Sequence, residues 1–121
     1  MENIIEIHGQ ELKNGTITVQ EFVNSVKYCE VFYTTPLGQG LDGKQKLFLL
    51  TDPIGQDAFF PVFTDVEQMK AFYRREGRVE FTLLKGSLGE TLKMMDTEEK
   101  LKPLGVLIDL SIPIAPGVRP N

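Results

Sequence analysis

Apolar residues recur along this chain at two spacings, one typical of helices and the other typical of strands. Four of them follow the i, i+3, i+4, i+7 spacing of one helix face, namely Val19, Phe22, Val23 and Val26. Thr18 and Glu21 are placed as in a capping box, in which each side chain satisfies a free backbone N–H group. The pattern therefore predicts a helix over residues 18–28. Residues 1–13 are compatible with either a helix or a short strand.

The segment from residue 46 to residue 63 carries the signals of two strands joined by a tight turn. The continuous apolar run at 47–50 predicts a strand that is covered on both faces. Proline and glycine in Asp52-Pro53-Ile54-Gly55 stand where a tight turn uses them. Residues 59–63 return as the partner strand. Pro61 predicts that this strand lies at a sheet edge or a bulge, because proline has no N–H for the ladder.

A second helix is predicted directly after this strand. Thr64 and Glu67 match the capping box again, and the acidic Asp65 and Glu67 face the positive end of the helix dipole. Gly77 is expected to end the helix, because glycine readily adopts the left-handed conformation found after many helices. The buried stripe of this helix is expected to consist of Val66, Met69, Phe72 and Tyr73.

Three further strands and a short helix complete the predicted fold. Residues 30–35 are β-branched and aromatic, which predicts a strand. Apolar and polar residues alternate over 78–83, as in a half-buried strand, and residues 104–110 form the last strand. Between these two strands, Ser87 is placed to cap a short helix. Residues 111–121 contain three prolines and are expected to be extended.

The order of these elements, α-βββ-α-β-α-β, predicts the α+β class. We expect a single domain over residues 1–121, with one mixed sheet of about five strands and helices packed on it. Residues 1–17 form an N-terminal segment, and residues 111–121 form an extended, proline-rich tail. One continuous core is expected to include most of Phe60, Phe63, Phe72, Phe81, Leu83, Val106 and Ile108.

Composition and charge narrow the range of partners and compartments. The net charge is −4, which argues against nonspecific binding of nucleic acid, because such binding needs a basic surface. The single cysteine, Cys29, cannot form an internal disulfide, and this favours a reducing compartment. The longest apolar runs are far shorter than the roughly 20 residues that span a bilayer. We therefore expect a cytoplasmic protein that binds neither nucleic acid nor membrane.

Few side chains in the chain are typical of catalysis. His8 is the only histidine and has no neighbouring metal-ligand spacing, and Cys29 has no base nearby in the sequence. Two carboxylate pairs, Asp52/Asp57 and Glu98/Glu99, suggest a metal site or a glycosidase. Glu98 and Glu99 are expected to form a solvated face, so Asp52 and Asp57, which flank the predicted turn, are the pair for a hydrolase. We assign no catalytic residue, and we expect no cofactor and no metal.

The unit around residues 46–77, with the order of elements on both sides of it, resembles the N-terminal domain of the SseB family, named after enhanced serine sensitivity. The resemblance rests on the apolar strand, the turn and above all Phe60-Pro61-Val62-Phe63-Thr64-Asp65 before the helix, and it covers residues 30–110. Family members often end the last strand in an Asn-Pro step, where this chain has Ile108-Asp109-Leu110. Longer members also carry a C-terminal domain for which this chain has no room.

The resemblance implies a non-enzymatic, bacterial, cytoplasmic protein-binding module. Some domains of this type are encoded near toxin-immunity or secretion systems, so the implied partner is another protein, such as a toxin or a secretion-system component. An immunity protein that neutralises a cognate toxin is the first alternative, and a carboxylate-dependent hydrolase is the second. Self-association is compatible with all three.

The partner contact is expected on two segments, the loop 37–44 and the tail 118–121. The loop is rich in glycine and contains two leucines, and exposed apolar loop residues often mark contacts. The tail contains Arg119, whose guanidinium can pair bidentately with a carboxylate. The predicted partner-binding residues are Leu41, Asp42, Val118 and Arg119.

Overall fold

Four helices and eight strands are formed by the residues that the structure, a computed structural model, describes, namely residues 3–51 and 57–121. The helices are α1 (Ile4–Lys13), α2 (Val19–Val26), α3 (Val66–Arg75) and α4 (Leu88–Thr97). The strands are β1 (Glu30–Tyr33), β2 (Leu37–Gln39), β3 (Gln45–Leu47), β4 (Leu50–Thr51), β5 (Ala58–Val62), β6 (Leu84–Ser87), β7 (Gly105–Ile108) and β8 (Ile112–Ile114). The predicted α+β class is confirmed. None of the described helices is long and apolar enough to cross a membrane.

The helices follow their capping signals closely. Thr18 and Glu21 form the predicted capping box of α2. The Thr18 hydroxyl accepts from the Glu21 N–H at 3.1 Å, and the Glu21 carboxylate accepts from the Thr18 N–H at 2.9 Å. Ser87 caps α4, as predicted. Residues 1–13 were compatible with helix or strand, and the described part forms α1, because the Asn3 side chain accepts from the Ile5 N–H.

The predicted capping box at the start of α3 is wrong in its cap residue. Asp65, not Thr64, caps this helix, and its carboxylate accepts from the N–H groups of Glu67 and Gln68. Thr64 instead donates from its N–H and its hydroxyl to Asp109. The helix ends as predicted, since Gly77 follows the last turn with a φ of 77°.

The strands form three small sheets, and the prediction of one mixed sheet is wrong. The largest has the order β4-β5-β7-β8, and its β5 and β7 strands are parallel. The other two are the antiparallel pairs β1-β6 and β2-β3. The β1 strand meets β5 only at the single bridge between Phe32 and Phe63, so the ladder does not continue between these sheets.

The structure also corrects the position of Pro61, which lies inside the four-stranded sheet and not at its edge. On one side of β5, Phe59 pairs with Leu50 and Phe63 pairs with Phe32. Pro61 falls between these two pairs on the same side. Its missing N–H therefore removes no ladder hydrogen bond, since no strand continues across this gap.

Two predicted strands are displaced. The apolar run at 47–50 is not covered on both faces, because β3 is exposed along its length and only Phe48 is buried. The alternating segment 78–83 forms no strand, and β6 begins at its C-terminal side. Its pattern is inverted at the start, with Arg78 buried and Val79 53% exposed, whereas Phe81 is half-buried between the exposed Glu80 and Thr82. The predicted turn at residues 52–55 lies outside the described residues.

The last predicted strand is shorter than expected and is followed by another strand. Residues 109 and 110 form a tight turn, with φ of 52° at Asp109 and 62° at Leu110, and this turn ends β7 at Ile108. The chain then returns as β8, antiparallel to β7. The proline-rich tail, which the sequence predicts to be extended, therefore begins as a strand that pairs with β7.

The buried residues form two clusters, so the prediction of one continuous core is wrong. The first cluster lies between the four-stranded sheet and helices α1, α2 and α4, and contains Phe60, Val106 and Ile108. The second lies under α3 and contains Phe63 and Phe72, with Phe81 half-buried at its margin. The remaining predicted core residue, Leu83, is 45% exposed.

Candidate functional site

The segment predicted as a glycine-rich loop, residues 37–44, is largely a β-hairpin. Leu37 pairs directly with Leu47, and both side chains lie on the outer face, where they are 49% and 59% exposed. Gly38 and Lys46 form the next pair on the inner face. The hairpin therefore presents two leucines outward, whereas its inner face lies against the second cluster.

A buried arginine holds the hairpin in place. The Arg78 guanidinium donates from Nη1 to the Thr35 carbonyl at 2.8 Å, and from Nη2 to the Leu37 carbonyl at 3.2 Å. Its Nε donates to the Glu80 carbonyl at 3.3 Å. Because a Cβ at position 38 would overlap the guanidinium, glycine is the residue that lets the hairpin approach so closely.

Aromatic rings surround the same guanidinium. Its Cζ lies 5.0 Å from the ring centroid of Phe48 and 5.2 Å from that of Tyr73, within the range of a cation–π interaction. Burial lowers the pKa of Arg78, an effect that Tyr73 partly offsets. Burial also raises the pKa of Tyr73 to about 12, against the opposing effect of the Arg78 charge. The arginine thus links the hairpin to the aromatic cluster under α3.

An apolar cleft of about 370 Å³ adjoins the hairpin. It lies between the end of β1, the start of β6 and the C-terminal half of α4. Its apolar lining comes from Tyr33, Pro36, Leu37, Phe60, Leu84, Met94 and Leu101. Glu98 and Lys100 add polar groups to it. Leu37 belongs both to this cleft and to the exposed leucine pair, so the two features form one surface, which we call the leucine face.

One buried polar atom lies beside this surface without a partner. Thr34 is fully buried, and its Oγ1 has no hydrogen-bond partner within the described part of the chain. Thr34 and its neighbours Tyr33 and Thr35 all contribute to the cleft lining. Such a hydroxyl is costly because its lost hydration is not replaced.

The predicted partner-binding residues lie in two separate places. Leu41 is 85% exposed at the hairpin tip, near Gly77, and the Asp42 carboxylate accepts from the Lys44 N–H at 3.0 Å in the same turn. Val118 packs against the first cluster. Arg119 already pairs with Asp96 of its own chain, with N···O distances of 2.8 and 3.0 Å. That these residues contact a partner stays a prediction.

The side chains that are typical of catalysis have other surroundings. His8 lies 2.6 Å from a Glu11 carboxylate oxygen within α1, and burial raises the pKa of the Cys29 thiol, which disfavours the reactive thiolate. Asp57 is exposed, and Asp52 lies outside the described residues. Among residues 3–51 and 57–121, no group of three or more His, Cys, Asp and Glu side chains is placed to hold a metal.

A larger cleft, of about 640 Å³, lies beside the tail at the start of α4. The backbone N–H groups there are already bonded: Leu88 to the Cys29 carbonyl and Gly89 to the Lys27 carbonyl, at 2.9 and 2.8 Å. The N–H of Glu90 donates to the Ser87 hydroxyl. This helix end therefore offers no free donors of the kind that bind anions.

No family model matches the chain, and no curated protein or solved structure matches it. The resemblance to the SseB family therefore stays a prediction. Sequence reasoning predicted a contact on the segment 37–44 but missed the pairing of Leu37 with Leu47 and the adjoining cleft, although one signal pointed to a hairpin. Asp42-Gly43 is a hairpin signal, and the residues flanking it, Gln39 and Gln45, pair as the last rung before the turn.

Proposed function

We propose that this chain is a non-enzymatic protein-binding module of the SseB N-terminal-domain type, acting in the bacterial cytoplasm. The observation that carries the proposal is the leucine face. Single exposed apolar residues are ordinary on protein surfaces, but a cross-strand pair that continues into an apolar cleft is a feature of interaction sites. Such a surface gains free energy when a partner removes it from water.

The way the hairpin is held supports the same proposal. Binding is weakened when a surface must be ordered as the partner arrives. Here Arg78 bonds to the backbone on both sides of Pro36 and anchors the first strand of the hairpin before any partner binds. On the inner face, Gly38 lies against the Arg78 guanidinium, which in turn lies over the rings of Phe48 and Tyr73. A preorganised leucine pair is suited to a lasting contact.

A photo-cross-linking experiment in the native host tests this proposal. A photoreactive amino acid is introduced at position 47, and separately at position 4, where Ile4 is 45% exposed on a different element. We expect a discrete protein adduct from position 47 and none from position 4. Leu37→Asp should weaken the captured complex by at least about tenfold.

Ile4→Asp is the matched control for this loss, because it adds the same charge at an apolar residue of similar exposure. It should leave the complex intact. Equal adducts from both positions, or none from position 47, would contradict a partner-binding role for the leucine face.

An immunity protein is the second candidate, favoured by the net charge of −4, which attracts a basic toxin. Coexpression with the toxin encoded next to this chain tests it. Growth should be restored by the parent chain and lost again with Leu37→Asp. Continued arrest with the parent chain would remove this candidate and leave the general binding role in place.

A further inference from the structure

A third cleft, of about 490 Å³, has basic side chains at three of its six lining residues. Lys70 and Arg74 lie one helical turn apart on the exposed side of α3, and Arg78 follows the end of that helix. The other lining residues are Val79, Glu80 and Phe81. We call this the basic cleft. It is a locally positive site on a chain whose net charge is −4.

The basic side chains of the basic cleft are largely without ion-pair partners in the described part of the chain. Among the described residues, no carboxylate lies within ion-pair distance of Arg74 or Arg78. Lys70 has only a long, exposed contact of 3.6 Å with Glu67. The oxygen atoms that accept hydrogen bonds from Arg78 are uncharged. They are the backbone carbonyls of Thr35, Leu37 and Glu80 and the hydroxyl of Thr35.

Burial makes the charge of Arg78 more effective than that of a surface arginine. The residue is only 7% exposed, so water screens its charge weakly. Burial also lowers the pKa of Arg78, and an added anion would favour the charged form. The two exposed charges of Lys70 and Arg74 then complete a site for an anionic group.

The other lining residues narrow the choice of anion. Val79 and the half-buried Phe81 give the cleft an apolar side, which suits an anion attached to an apolar group. With Glu80 in the lining, the cleft still carries a net positive charge, but inorganic phosphate has no apolar body and can use only the charged part of the cleft. A carboxylate also matches the planar, forked geometry of an arginine side chain.

We propose that the basic cleft binds an acidic side chain of a protein segment, with a neighbouring apolar side chain against Val79 and Phe81. This inference rests on the proposed function, because the segment would belong to the bound partner. Lys70 and Arg74 contact the carboxylate, and Arg78 supplies the field beneath it.

Titration of the isolated chain with blocked dipeptides, followed by amide chemical shifts in NMR, tests the inference without any partner. The probes are acetyl-Phe-Glu-amide, acetyl-Phe-Gln-amide with the same body and no charge, and inorganic phosphate. Acetyl-Phe-Glu-amide should cause saturable shifts over residues 70–81. The glutamine peptide should bind at least about two- to fivefold more weakly. Phosphate should bind less tightly than the glutamate peptide.

Two substitutions on the same helix distinguish the cleft from general attraction. Arg74→Gln should weaken the glutamate peptide by about two- to fivefold. Arg75→Gln removes the same charge from a residue outside the cleft, whose guanidinium lies 5.9 Å from the Phe72 ring centroid, and should have no effect. Both side chains are exposed, so neither change should alter folding.

Several results would overturn the inference. These are the absence of saturable shifts, equal binding of both peptides, tighter binding of phosphate, or equal losses from Arg74→Gln and Arg75→Gln. None of them depends on the leucine face, which cross-linking at position 47 tests separately. A failure of the basic cleft is therefore distinguishable from a failure of the proposed function.

Discussion

The carboxylate of Asp109 holds Thr64 by two hydrogen bonds, one of 2.8 Å from the backbone N–H and one of 2.6 Å from the hydroxyl. The bonds join the turn after β7 to the residue just before the cap of α3. That turn is unusual, because Asp109 and Leu110 both have positive φ without being glycine. The Ser111 N–H closes it on the Ile108 carbonyl at 3.0 Å. The bonds to Thr64 thus help to offset local backbone strain.

Asp109→Ala should lower the free energy of unfolding by about 2–3 kcal/mol. The substitution removes two hydrogen bonds to a charged acceptor and leaves the partly buried N–H and hydroxyl of Thr64 without that acceptor. Chemical denaturation measures the change, with Asp57→Ala as the control because Asp57 is exposed. Equal stability of both variants would show that the strained turn does not depend on Thr64.

The parts of the fold that the sequence predicted are those set by neighbouring residues. Helices α2 and α4 begin at their predicted cap residues, since a cap bonds to backbone only three residues away. The position of the hairpin was not predicted, because it depends on bonds from Arg78 to Thr35 and Leu37, which are 43 and 41 residues distant in the chain. When those acceptors are not known, the alternating segment 78–83 has the pattern of a strand, which is why the sequence predicts one there.

The same distance in sequence explains what was missed in the candidate site. Leu37 and Leu47 could be expected as buried or as loop residues, and only their pairing places them on one outer face. Arg119 could be expected to be free, but Asp96 lies close to it in the fold. Which face of a short hairpin is buried depends on the rest of the chain, and here Gly38 decides it by admitting the guanidinium.

Gly38→Ala should destabilise the chain by about 1–3 kcal/mol, because the added methyl group overlaps the Arg78 guanidinium. Gly40→Ala is the matched control in the same hairpin. Its Cβ would have no neighbour closer than 3.4 Å, so the change should stay within about 0.5 kcal/mol. Thermal or chemical unfolding compares the two. Similar losses at both positions would contradict the close approach of the hairpin to Arg78.

Thr34→Val should raise the free energy of unfolding by about 1 kcal/mol, since it replaces an unbonded buried hydroxyl by a methyl group of the same size. The control is Thr91→Val, at another buried threonine whose hydroxyl donates to the Ser87 carbonyl at 2.9 Å. That change should be destabilising. A loss at both sites would show that the Thr34 hydroxyl is bonded after all.

Stability should fall at alkaline pH because of Tyr73. Its pKa in the folded chain is raised to about 12 from an ordinary value of 10.0. The folded state therefore keeps the Tyr73 proton over this interval. The contribution of Tyr73 to the free energy of unfolding is complete below about pH 10 and is lost as the pH rises towards 12. The expected loss is on the order of 2–3 kcal/mol. Tyr73→Phe should flatten this part of the pH profile, and an unchanged slope would contradict the assignment.

The attachment of the tail should depend on acid pH through Asp96. Its pKa is lowered chiefly by the hydrogen bond from Arg119, so the folded state favours the ionised carboxylate. The ion pair is then fully formed above the ordinary carboxyl pKa and is lost as the pH falls through the lowered value. Amide exchange of Val118 and Asn121 measures the release of the tail, which Gln20 and Asn24 also bind.

Asp96→Asn should speed this exchange at neutral pH and remove its dependence on acid, and Arg119→Ala should do the same. Because both changes break the same ion pair, the double variant should exchange no faster than either single variant. Glu99→Gln, which neutralises an exposed carboxylate just beyond α4, is the control and should keep the parent profile. Additive effects of the two changes would mean that Arg119 is held by other groups. Unchanged exchange in Arg119→Ala would instead leave its guanidinium available to a partner, as the sequence alone predicts.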